Sequence, residues 1–415
     1  MINTGSRTRP LLVPLLLAAL LLLAVGIRIP AIGITGHTGD VYVFSTWAER
    51  MAAVGPLHFY EGSGSIYPAL LYLYWPLGVA FDGDTLNVAI KALAIPFDVA
   101  VGLLLFALVR PRAGGFAALG AAALYLLNPA VILGGPIWGQ IDAAGTLVFV
   151  ATLWAAADRR LLAAGVLGML SGLVKPQFGL VLVPVLALGV LAWRERGTWR
   201  PLLGAVAGAL GAYLLVAAPL LLSPFDHLGH IAGVTGIRPE ASVYAPNPWA
   251  LLVGYETPDG GYTWVGGLLL LAGLAAAVVP LRRGRDLRTL LFVGAFVIFA
   301  FYFLPTRVHE RYLFPAMAVL APLAAVSTAM LGSYLVMAAG FALSLLYALV
   351  ATTPFSLPAG WEEVLLTREM VIGLSVVLTG AALTVVILLR TGAAARLATT
   401  RGPAGMPPPS AGAPG

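Results

Sequence analysis

Five short polar motifs interrupt an otherwise apolar chain, and their side chains could carry chemistry. They are Gly39-Asp40; Trp138-Gly139-Gln140-Ile141-Asp142; Lys175-Pro176-Gln177; Asn247-Pro248-Trp249; and Arg307-Val308-His309-Glu310-Arg311. A carboxylate such as Asp40 can accept a proton from a reacting hydroxyl group. Guanidinium and imidazole groups such as Arg311 and His309 can hold phosphate oxygens. One such motif is typical of a solvated loop, whereas several on one side of a membrane indicate a site.

The residue types exclude several other chemistries. The chain has no Cys, which excludes thiolate catalysis, Cys-bound zinc and disulfides. Its five His residues form no HExxH motif, although His227 and His230 beside Asp226 could hold a metal or form a hydrogen-bonded loop pair. The sequence contains neither a glycine-rich phosphate loop at a strand–helix junction nor a GxSxG motif. We therefore assign no metal-binding residues.

The composition indicates a polytopic membrane protein. Hydrophobic residues make up 60% of the 415 positions and charged residues 10%, with a mean hydropathy of +0.93. A helix needs about 20 residues to cross a hydrocarbon layer of roughly 30 Å. The apolar runs predict about twelve spanning helices, at 11–29, 87–109, 115–134, 142–157, 161–174, 177–193, 202–222, 262–281, 289–304, 312–330, 334–351 and 370–389. The predicted fold class is therefore all-α.

The arginines predict which loops face the cytoplasm. The first span follows Arg7 and Arg9 and has no small-residue cleavage site, so we expect a retained span with a cytoplasmic N-terminus. Counting the spans then assigns the following arginines, and the C-terminus, to the cytoplasmic side: Arg110, Arg112, Arg159, Arg160, Arg194, Arg196, Arg200, Arg282, Arg283, Arg285, Arg288, Arg390, Arg396 and Arg401. All five polar motifs fall on the outer face.

Segment 66–81 decides this count. It is apolar and aromatic, but treating it as a full span would place most arginine clusters outside the cell. We therefore predict an interfacial or re-entrant helix on the outer face, with Tyr67, Tyr72, Tyr74 and Trp75 at the headgroup boundary. The first outer loop then runs from 30 to 84 and contains Asp40. The predicted organisation is one membrane domain over 1–401 and a disordered cytoplasmic tail over 402–415, which is rich in Pro, Gly and Ala.

The basic charge balance reflects topology. The net charge of +6 and the pI near 9.6 come from arginines distributed among the predicted cytoplasmic loops. They form no basic stripe with interleaved aromatic residues, so we expect no nucleic-acid partner.

The order of the motifs resembles the GT-C superfamily of membrane glycosyltransferases that use polyprenyl- or dolichyl-phosphate sugars. The likeness is strongest to the dolichyl-phosphate-glucose-dependent glucosyltransferases of lipid-linked oligosaccharide assembly and their prokaryotic relatives. Gly39-Asp40 is similar to that family's catalytic acidic motif. The other matching motifs are Tyr67-Pro68-Ala69-Leu70, similar to Tyr-Pro-Pro-Leu; Asn128-Pro129 and 138–142, similar to Trp-Gly-Gln-x-Asp; 175–177, similar to Lys-x-Gln; and 308–311, similar to His-Glu-Lys/Arg.

The resemblance implies an inverting transfer of one hexose or pentose, such as mannose or glucose, from a polyprenyl phosphate to a hydroxyl acceptor on the outer face. The acceptor class would be a glycan, glycolipid or protein. The lipid-linked sugar would be a substrate, so no cofactor or metal is expected. Asp40 would be the catalytic base. The donor phosphate would be bound by His309, Arg311, Arg307 and Lys175. The sugar or acceptor would be bound, or the catalytic groups supported, by Trp138, Gln140, Asp142, Gln177, Tyr67, Glu310, Asn247 and Trp249.

Some of these residues keep a structural alternative. Lys175 is either a phosphate ligand or a loop anchor, and Trp138 either stacks on a sugar or belongs to a simple turn. Glu310 either orients its basic neighbours or links to another outer loop. Lys91 and Asp98 are seven positions apart on one predicted helix face, about 10 Å along the axis, and we expect both to have a structural role. If segment 307–311 is helical, its two arginines share one face.

A transporter or a flippase for lipid-linked sugars is the alternative class. It predicts two pseudo-symmetric halves and a site near the membrane midplane. The sequence shows no repeat between its halves, and the charged motifs collect at one surface, which favours an enzyme. An outer cavity lined by Asp40 and His309 would support transfer of a sugar. The excess of Arg over Lys and the abundance of Ala predict a high-GC genome and a bacterial plasma membrane.

Overall fold

A computed structural model of the chain describes residues 9–391. The predicted tail at 402–415, together with Arg7, Arg396 and Arg401, lies outside the described residues. Eighteen α-helices occur in the described range. They are α1 (Arg9–Ile32), α2 (Thr38–Val54), α3 (Pro68–Ala80), α4 (Gly83–Ala92), α5 (Ala94–Leu126), α6 (Pro129–Ile132), α7 (Asp142–Ala157), α8 (Leu161–Val174), α9 (Leu182–Arg196), α10 (Arg200–Ala217), α11 (Pro224–Ile237), α12 (Pro248–Val253), α13 (Thr263–Val278), α14 (Leu287–Phe303), α15 (Phe314–Ala324), α16 (Thr328–Thr352), α17 (Trp361–Leu365) and α18 (Arg368–Arg390).

The helices confirm an all-α membrane protein. Among residues 9–391, seven helical stretches are long and apolar enough to cross a membrane. They are Leu11–Ile32, Gly83–Leu126, Pro176–Arg196, Arg200–Leu220, Thr263–Arg282, Thr328–Thr352 and Arg368–Arg390. Helices α3, α7, α8 and α14 are apolar but shorter. Each of the twelve predicted spans overlaps a helix, and the count of about twelve spans stays a prediction.

Helix α5 contains a chain reversal that the arginine pattern predicts between two spans. Gly114 has φ +86° and ψ 172°, which is not helical and which favours glycine. A straight helix would hold residues 98 and 125 about 40 Å apart. The Tyr125 hydroxyl instead donates a hydrogen bond to Asp98 at 2.9 Å. The chain therefore folds back at Gly114, between the predicted spans 87–109 and 115–134.

Three of the arginine-bearing turns, those with Arg159, Arg196 and Arg285, lie close to one another. Arg285 pairs with Glu195 across two turns that are distant in sequence. Burial, and then the charges of Arg285 and Arg196, lower the pKa of Arg159, so the 158–160 turn lies beside them. This grouping is the one that the predicted cytoplasmic side requires.

A buried ion pair joins α1 to α5. Arg28 Nε lies 2.8 Å from Asp98 Oδ2, and both side chains are 0% exposed. Arg28 also donates to the carbonyl oxygens of Ala24 and Leu126. Lys91 and Asp98 do not lie in one helix as predicted, because α4 ends at Ala92 and α5 begins at Ala94, and Lys91 Nζ donates to the Ile34 carbonyl oxygen at 2.6 Å. Both groups are nevertheless structural, since each ties its helix to the segment around α1.

Helix α3 lies where sequence predicts the outer interfacial helix. Tyr72 donates to the carbonyl oxygen of Val216 at 2.8 Å. Tyr74 does not lie at a headgroup boundary as predicted, because it is 0% exposed and stacks on Phe44 at 5.4 Å. The α3 aromatic face thus packs partly inward, against α2.

A short parallel β-pair, which the sequence analysis did not predict, joins two loops of the predicted outer face. Strand β1 (Ser242–Val243) pairs with β2 (Val308–His309) in the register Ser242 to Val308. Arg307, immediately before β2, has φ +63°. The pair fixes His309 relative to the loop after α11.

Removing one partner of the Arg28–Asp98 pair should strongly destabilise the fold. Asp98→Ala leaves a guanidinium buried without its carboxylate, and we expect a loss of about 3–5 kcal/mol in the free energy of unfolding. Arg28→Met combined with Asp98→Leu should recover most of it, because neither charge is then buried. Melting of detergent-solubilised protein measures both variants, with the exposed Asp84→Ala as the control. A double variant as unstable as the single one would contradict this account.

The predicted topology can be tested by labelling single cysteines that are introduced into this cysteine-free chain. An impermeant thiol reagent applied outside the cell should label positions 84, 260 and 359. Positions 114, 197 and 284, in the arginine-bearing turns, should be labelled only after permeabilisation. Labelling of 114 from outside would mean that 66–81 spans the membrane.

Candidate active site

The backbone of the loop before α2 contacts the backbone of the 137–142 turn, and this contact positions Asp40. The backbone N–H of His37 donates to the Trp138 carbonyl oxygen at 3.1 Å. A Cβ on Gly36 would lie 1.9 Å from the Ile137 carbonyl oxygen, so only glycine permits this approach. His37 then caps α2, because its Nδ1 accepts from the Asp40 backbone N–H at 3.0 Å. Asp40 therefore sits in the first turn of α2, facing the 137–142 turn.

The 137–142 turn has a shape that its glycine makes possible. A single π-helical turn at Leu133–Ile137 leads into Trp138, and such turns are frequent at functional sites. Gly139 has φ +96°, and a Cβ there would lie 2.6 Å from Val41 Cγ2. This reversal turns the side chains of Trp138 and Gln140 towards α2.

The carboxylate of Asp40 has one occupied oxygen and one open oxygen. Trp138 Nε1 donates to Oδ2 at 2.8 Å, and Gln140 Nε2 donates to the same oxygen at 2.6 Å. His37 Nδ1 and Arg311 NH1 also lie near Oδ2, at 3.4 and 3.9 Å. No side chain in residues 9–391 donates to Oδ1. Oδ1 is thus the oxygen that can receive a proton from a ligand.

The surroundings hold Asp40 in its ionised form. Burial by itself would raise the pKa of this carboxyl group. The charge of Arg311 opposes burial most strongly, followed by His37 and the hydrogen bonds from Trp138 and Gln140, and the pKa falls well below the ordinary 3.8. Asp40 consequently carries its negative charge throughout the neutral range.

Lys175 fixes the amide that holds Asp40. Its Nζ donates to Gln140 Oε1 at 2.6 Å and to Asp142 Oδ1 at 2.6 Å. An ammonium group has only donors, so the Gln140 oxygen must face Lys175 and the NH₂ group must face Asp40. Burial lowers the pKa of Lys175, while the charge of Asp142 favours the ammonium form. Lys175 is 0% exposed, so its geometry supports the loop anchor and not the phosphate ligand.

Arg311 is the cation that faces Asp40. Its NH1 donates to Glu310 Oε1 at 2.8 Å, so Glu310 orients its basic neighbour. Burial raises the pKa of Glu310 despite the adjacent guanidinium. Arg311 Nε is buried and has no hydrogen-bond partner in the described part of the chain. Arg311 also lines the cavity described below, where its charge can act on an anionic ligand.

His309 is a neutral neighbour of Arg311. Burial, followed by the charge of Arg311, lowers the pKa of His309 well below 6.5. Its Nδ1 lies 3.8 Å from Glu310 Oε2. The imidazole can therefore donate one hydrogen bond to a ligand without adding a full charge.

Asp40, His309 and Arg311 line one cavity of about 240 Å³. Its lining comprises His37, Asp40, Trp138, Arg238, Val243, Tyr244, His309, Glu310, Arg311, Ala348 and Thr352. The sequence analysis missed Arg238, although it is the single arginine in the 223–261 loop. It also missed Tyr244, whose φ of +55° is a strained conformation of the kind that recurs at functional sites.

Three predicted ligands lie away from this cavity. Segment 305–309 is not helical, so Arg307 does not share a helix face with Arg311. Arg307 instead pairs with Asp259 at 2.9 Å and donates to the Thr235 carbonyl oxygen. Asn247 caps α12 and donates to the Tyr302 carbonyl oxygen. Trp249 donates to the Leu304 carbonyl oxygen at 2.9 Å. All three connect outer loops to the end of α14 or to each other.

The remaining predicted residues surround the catalytic groups. Trp138 is 2% exposed and stacks on His37 at 5.2 Å, so its geometry favours holding Asp40 over stacking on a sugar. The Tyr67 ring lies 5.7 Å from Lys175 Nζ. Gln177 Nε2 and Asp142 Oδ2 are buried without a partner among the described residues. Neither of these two lines the cavity.

His227 and His230 have separate neighbours. His227 Nε2 lies 3.3 Å from the Ile66 carbonyl oxygen, and His230 packs on Tyr60. Asp226 accepts from Ser223 at 2.6 Å. Over residues 9–391, no group of three or more His, Asp or Glu side chains is arranged to hold a metal.

Comparison with known proteins gives likenesses of fold. No family model and no curated protein matches the sequence. ArnT from Cupriavidus metallidurans bound to undecaprenyl phosphate is similar at a TM-score of 0.47 and 16% identity, over 91% of this chain and 77% of ArnT. The archaeal oligosaccharyltransferase AglB from Archaeoglobus fulgidus, in complex with an inhibitory peptide and a dolichol-phosphate, is similar at 0.43 and 14%, over 94% and 57%. The chemistry of the site follows from this chain's own residues.

The protonation of Asp40 should depend on Arg311. Because the Arg311 charge lowers the Asp40 pKa, Arg311→Gln should raise it, so that a proton binds at a higher pH. A hydrophobic carbodiimide modifies protonated carboxyl groups, and mass spectrometry can locate the product. Between pH 4 and 5 we expect little modification of Asp40 in the natural protein and more in Arg311→Gln. The exposed Asp84 should react equally in both proteins. Equal modification of Asp40 in both would contradict this account.

Proposed function

We propose that this chain is an inverting membrane glycosyltransferase. It moves a single hexose or pentose from a polyprenyl phosphate to a hydroxyl acceptor on the outer face of a bacterial plasma membrane, with both termini in the cytoplasm. One observation carries the proposal: the ionised Asp40, fixed through Oδ2 and open at Oδ1, lies 3.9 Å from Arg311 NH1, and both residues line one cavity. A base and an anion-binding group on one small cavity suit a transfer whose leaving group is an anion.

Asp40 is the base in this reaction. The acceptor hydroxyl donates to Oδ1, and its oxygen attacks the anomeric carbon. The new bond to that carbon forms as the bond from the carbon to the phosphate oxygen breaks. The proton passes to Asp40, and the lipid phosphate leaves with the electron pair. Attack from the face opposite the leaving group inverts the anomeric configuration.

The low pKa of Asp40 fits a late proton transfer. A hydroxyl group becomes strongly acidic only as its oxygen bonds to the anomeric carbon. A carboxylate that is always ionised is then an adequate acceptor, and its charge also stabilises positive charge that develops on the sugar. Holding the pKa low therefore keeps the base ready at every working pH.

Arg311 and His309 receive the leaving phosphate. The guanidinium of Arg311 stays charged and has an unpartnered Nε, and the neutral imidazole of His309 supplies a further donor. Both line the cavity. These groups stabilise charge that builds on the phosphate as the bond breaks. Because they supply this stabilisation, we expect the reaction to need neither a metal nor another cofactor.

The size of the cavity suits one sugar. Liquid water occupies about 30 Å³ per molecule, so 240 Å³ corresponds to about eight waters. A hexosyl group has about eleven non-hydrogen atoms, and bonded atoms lie closer together than separate waters. The cavity therefore has room for one sugar unit.

Transport is less well supported. A transporter or flippase would be expected to use a site between two related halves near the midplane. The cavity lined by Asp40 and His309 instead lies among loops at the helix ends of the predicted outer face. This position favours chemistry on a headgroup at the membrane surface.

Asp40→Asn should lower turnover by about 100-fold or more while preserving donor binding, because it removes the proton acceptor and keeps the shape. Purified protein is incubated with a panel of polyprenyl-phosphate sugars and hydroxyl acceptors, and release of free polyprenyl phosphate is measured. Glu49→Gln, an exposed acid on the same helix, is the matched control. Turnover close to that of the natural protein in Asp40→Asn would overturn the assignment of the base.

Substitutions at Arg311 and at Lys175 should differ in their effect on donor affinity. Arg311→Ala should weaken binding of polyprenyl phosphate and lower turnover, and Arg311→Lys should restore part of both, since a lysine keeps the charge but not the two parallel donors. His309→Ala should have a smaller effect than Arg311→Ala.

Lys175→Met should lower turnover with donor affinity unchanged, because Lys175 acts through Gln140. Binding to monodisperse protein and steady-state kinetics measure these effects. A loss of donor affinity in Lys175→Met as large as that in Arg311→Ala would show that Lys175 contacts the phosphate.

A further inference from the structure

A second polar cavity lies on the arginine-rich face. It measures about 580 Å³ and lies where the turn after α13 meets the start of α14 and the end of α18. Arg283, Arg288 and Arg390 line it together with apolar side chains such as Phe292 and Leu389. The α13 and α18 stretches are among those able to cross a membrane. We call this space the arginine cavity.

The three arginines of this cavity lack acidic partners. Arg285, in the same turn, pairs with Glu195, whereas no salt bridge joins Arg283, Arg288 or Arg390 to any group within residues 9–391. The sequence outside that range, 1–8 and 392–415, contains no Asp or Glu side chain. The charges are therefore available to an external anion.

The one acid in the lining does not neutralise the cavity. Asp286 caps α14, where its Oδ1 accepts from the Thr289 backbone N–H at 3.0 Å and from the Thr289 hydroxyl at 2.5 Å. Three arginines against one aspartate leave a net charge of +2. Guanidinium groups match the oxygens of a phosphate or phosphodiester.

The apolar part of the lining indicates which anion fits. Val279, Phe292 and Leu389 continue from the cavity onto helices that present apolar side chains outward, such as Val279 itself at 52% exposed and Ile387 at 59%. Inorganic phosphate has no apolar part that could pack against these side chains. A phospholipid places its headgroup on the cations and its acyl chains along the helices, and basic pockets between membrane helices on the cytoplasmic side suit anionic lipids.

We propose that the arginine cavity binds an anionic phospholipid of the inner leaflet through its phosphodiester headgroup. The site is separate from the cavity at Asp40, with which it shares no lining residue. Glycosyl transfer therefore plays no part in the inference.

Lipid retained by the purified full chain tests the proposal. Protein is exchanged into neutral detergent with equal phosphatidylglycerol and phosphatidylcholine, and native mass spectrometry counts bound lipids. We expect preferential retention of phosphatidylglycerol, reduced about fivefold by each Arg→Gln substitution at 283, 288 or 390, which is ~1 kcal/mol at 1.4 kcal/mol per tenfold. The matched control is Arg→Gln at 110, 194 and 200, three arginines of the same predicted face that lie outside the cavity.

Several results would overturn the proposal. They are equal retention of the two lipids by the natural protein, undiminished phosphatidylglycerol in the cavity variants, and an equal loss in the control variant. Displacement of the lipid by millimolar inorganic phosphate would assign the site to a free phosphate. If a single Gln variant does not fold, the other single variants and a triple Arg→Lys variant at 283, 288 and 390 replace it. The Lys variant should then retain phosphatidylglycerol better than any single Gln variant.

Discussion

The site depends on keeping one carboxylate charged in a place that is largely shielded from water. Removing a charge from water is expensive unless other charges and hydrogen bonds compensate. Asp40 receives that compensation from Trp138, Gln140 and Arg311. Gln140 can donate to Asp40 only when its NH₂ group faces the carboxylate. The hydrogen bond from Lys175 to Gln140 Oε1 fixes that orientation. The charge of Lys175 is balanced in turn by Asp142. The reactive group is therefore the end of a chain of buried polar contacts.

This series of polar contacts explains why the loops take their observed paths. Asp40 lies in the first turn of α2, Gln140 in the turn before α7, and Lys175 at the residue after α8. Lys175 leaves α8 in an extended conformation, which the following Pro176 favours. Asp142 begins α7, where a negative charge is favourable at a helix N-terminus. Each helix end thus delivers one polar group, and the contacts among those groups hold the helix ends together.

Buried charge is also compensated away from the site, but there the compensation stabilises helix packing. Arg28 and Asp98 satisfy each other between α1 and α5, and the pair holds two helices together. At the arginine cavity the charges meet no such partner. Within residues 9–391, the charged groups at these three places are therefore either paired for packing, arranged around Asp40, or, as at the exposed Arg283 and Arg390, open to a ligand. Only the last two arrangements leave donors or acceptors for another molecule.

The sequence by itself determined the fold class and the helices of the apolar runs, because apolar length acts locally along the chain. The arginine positions predict the side of the membrane on which the polar motifs collect. They also predict that Asp40, the 138–142 turn and His309 belong to one face. Which side chains touch was decided by tertiary structure. Trp138 and Asp40 are 98 positions apart, and Arg28 and Asp98 are 70 apart, so no periodicity could pair them. For the same reason the sequence left Lys175 open between a phosphate ligand and a loop anchor, and the resemblance implied a phosphate ligand at Arg307. In the structure Lys175 donates to Gln140 and Arg307 pairs with Asp259. Arg238 entered the cavity because the loop after α11 is fixed by the β1–β2 pairing, a contact set by two distant segments whose sequences carry no strand pattern.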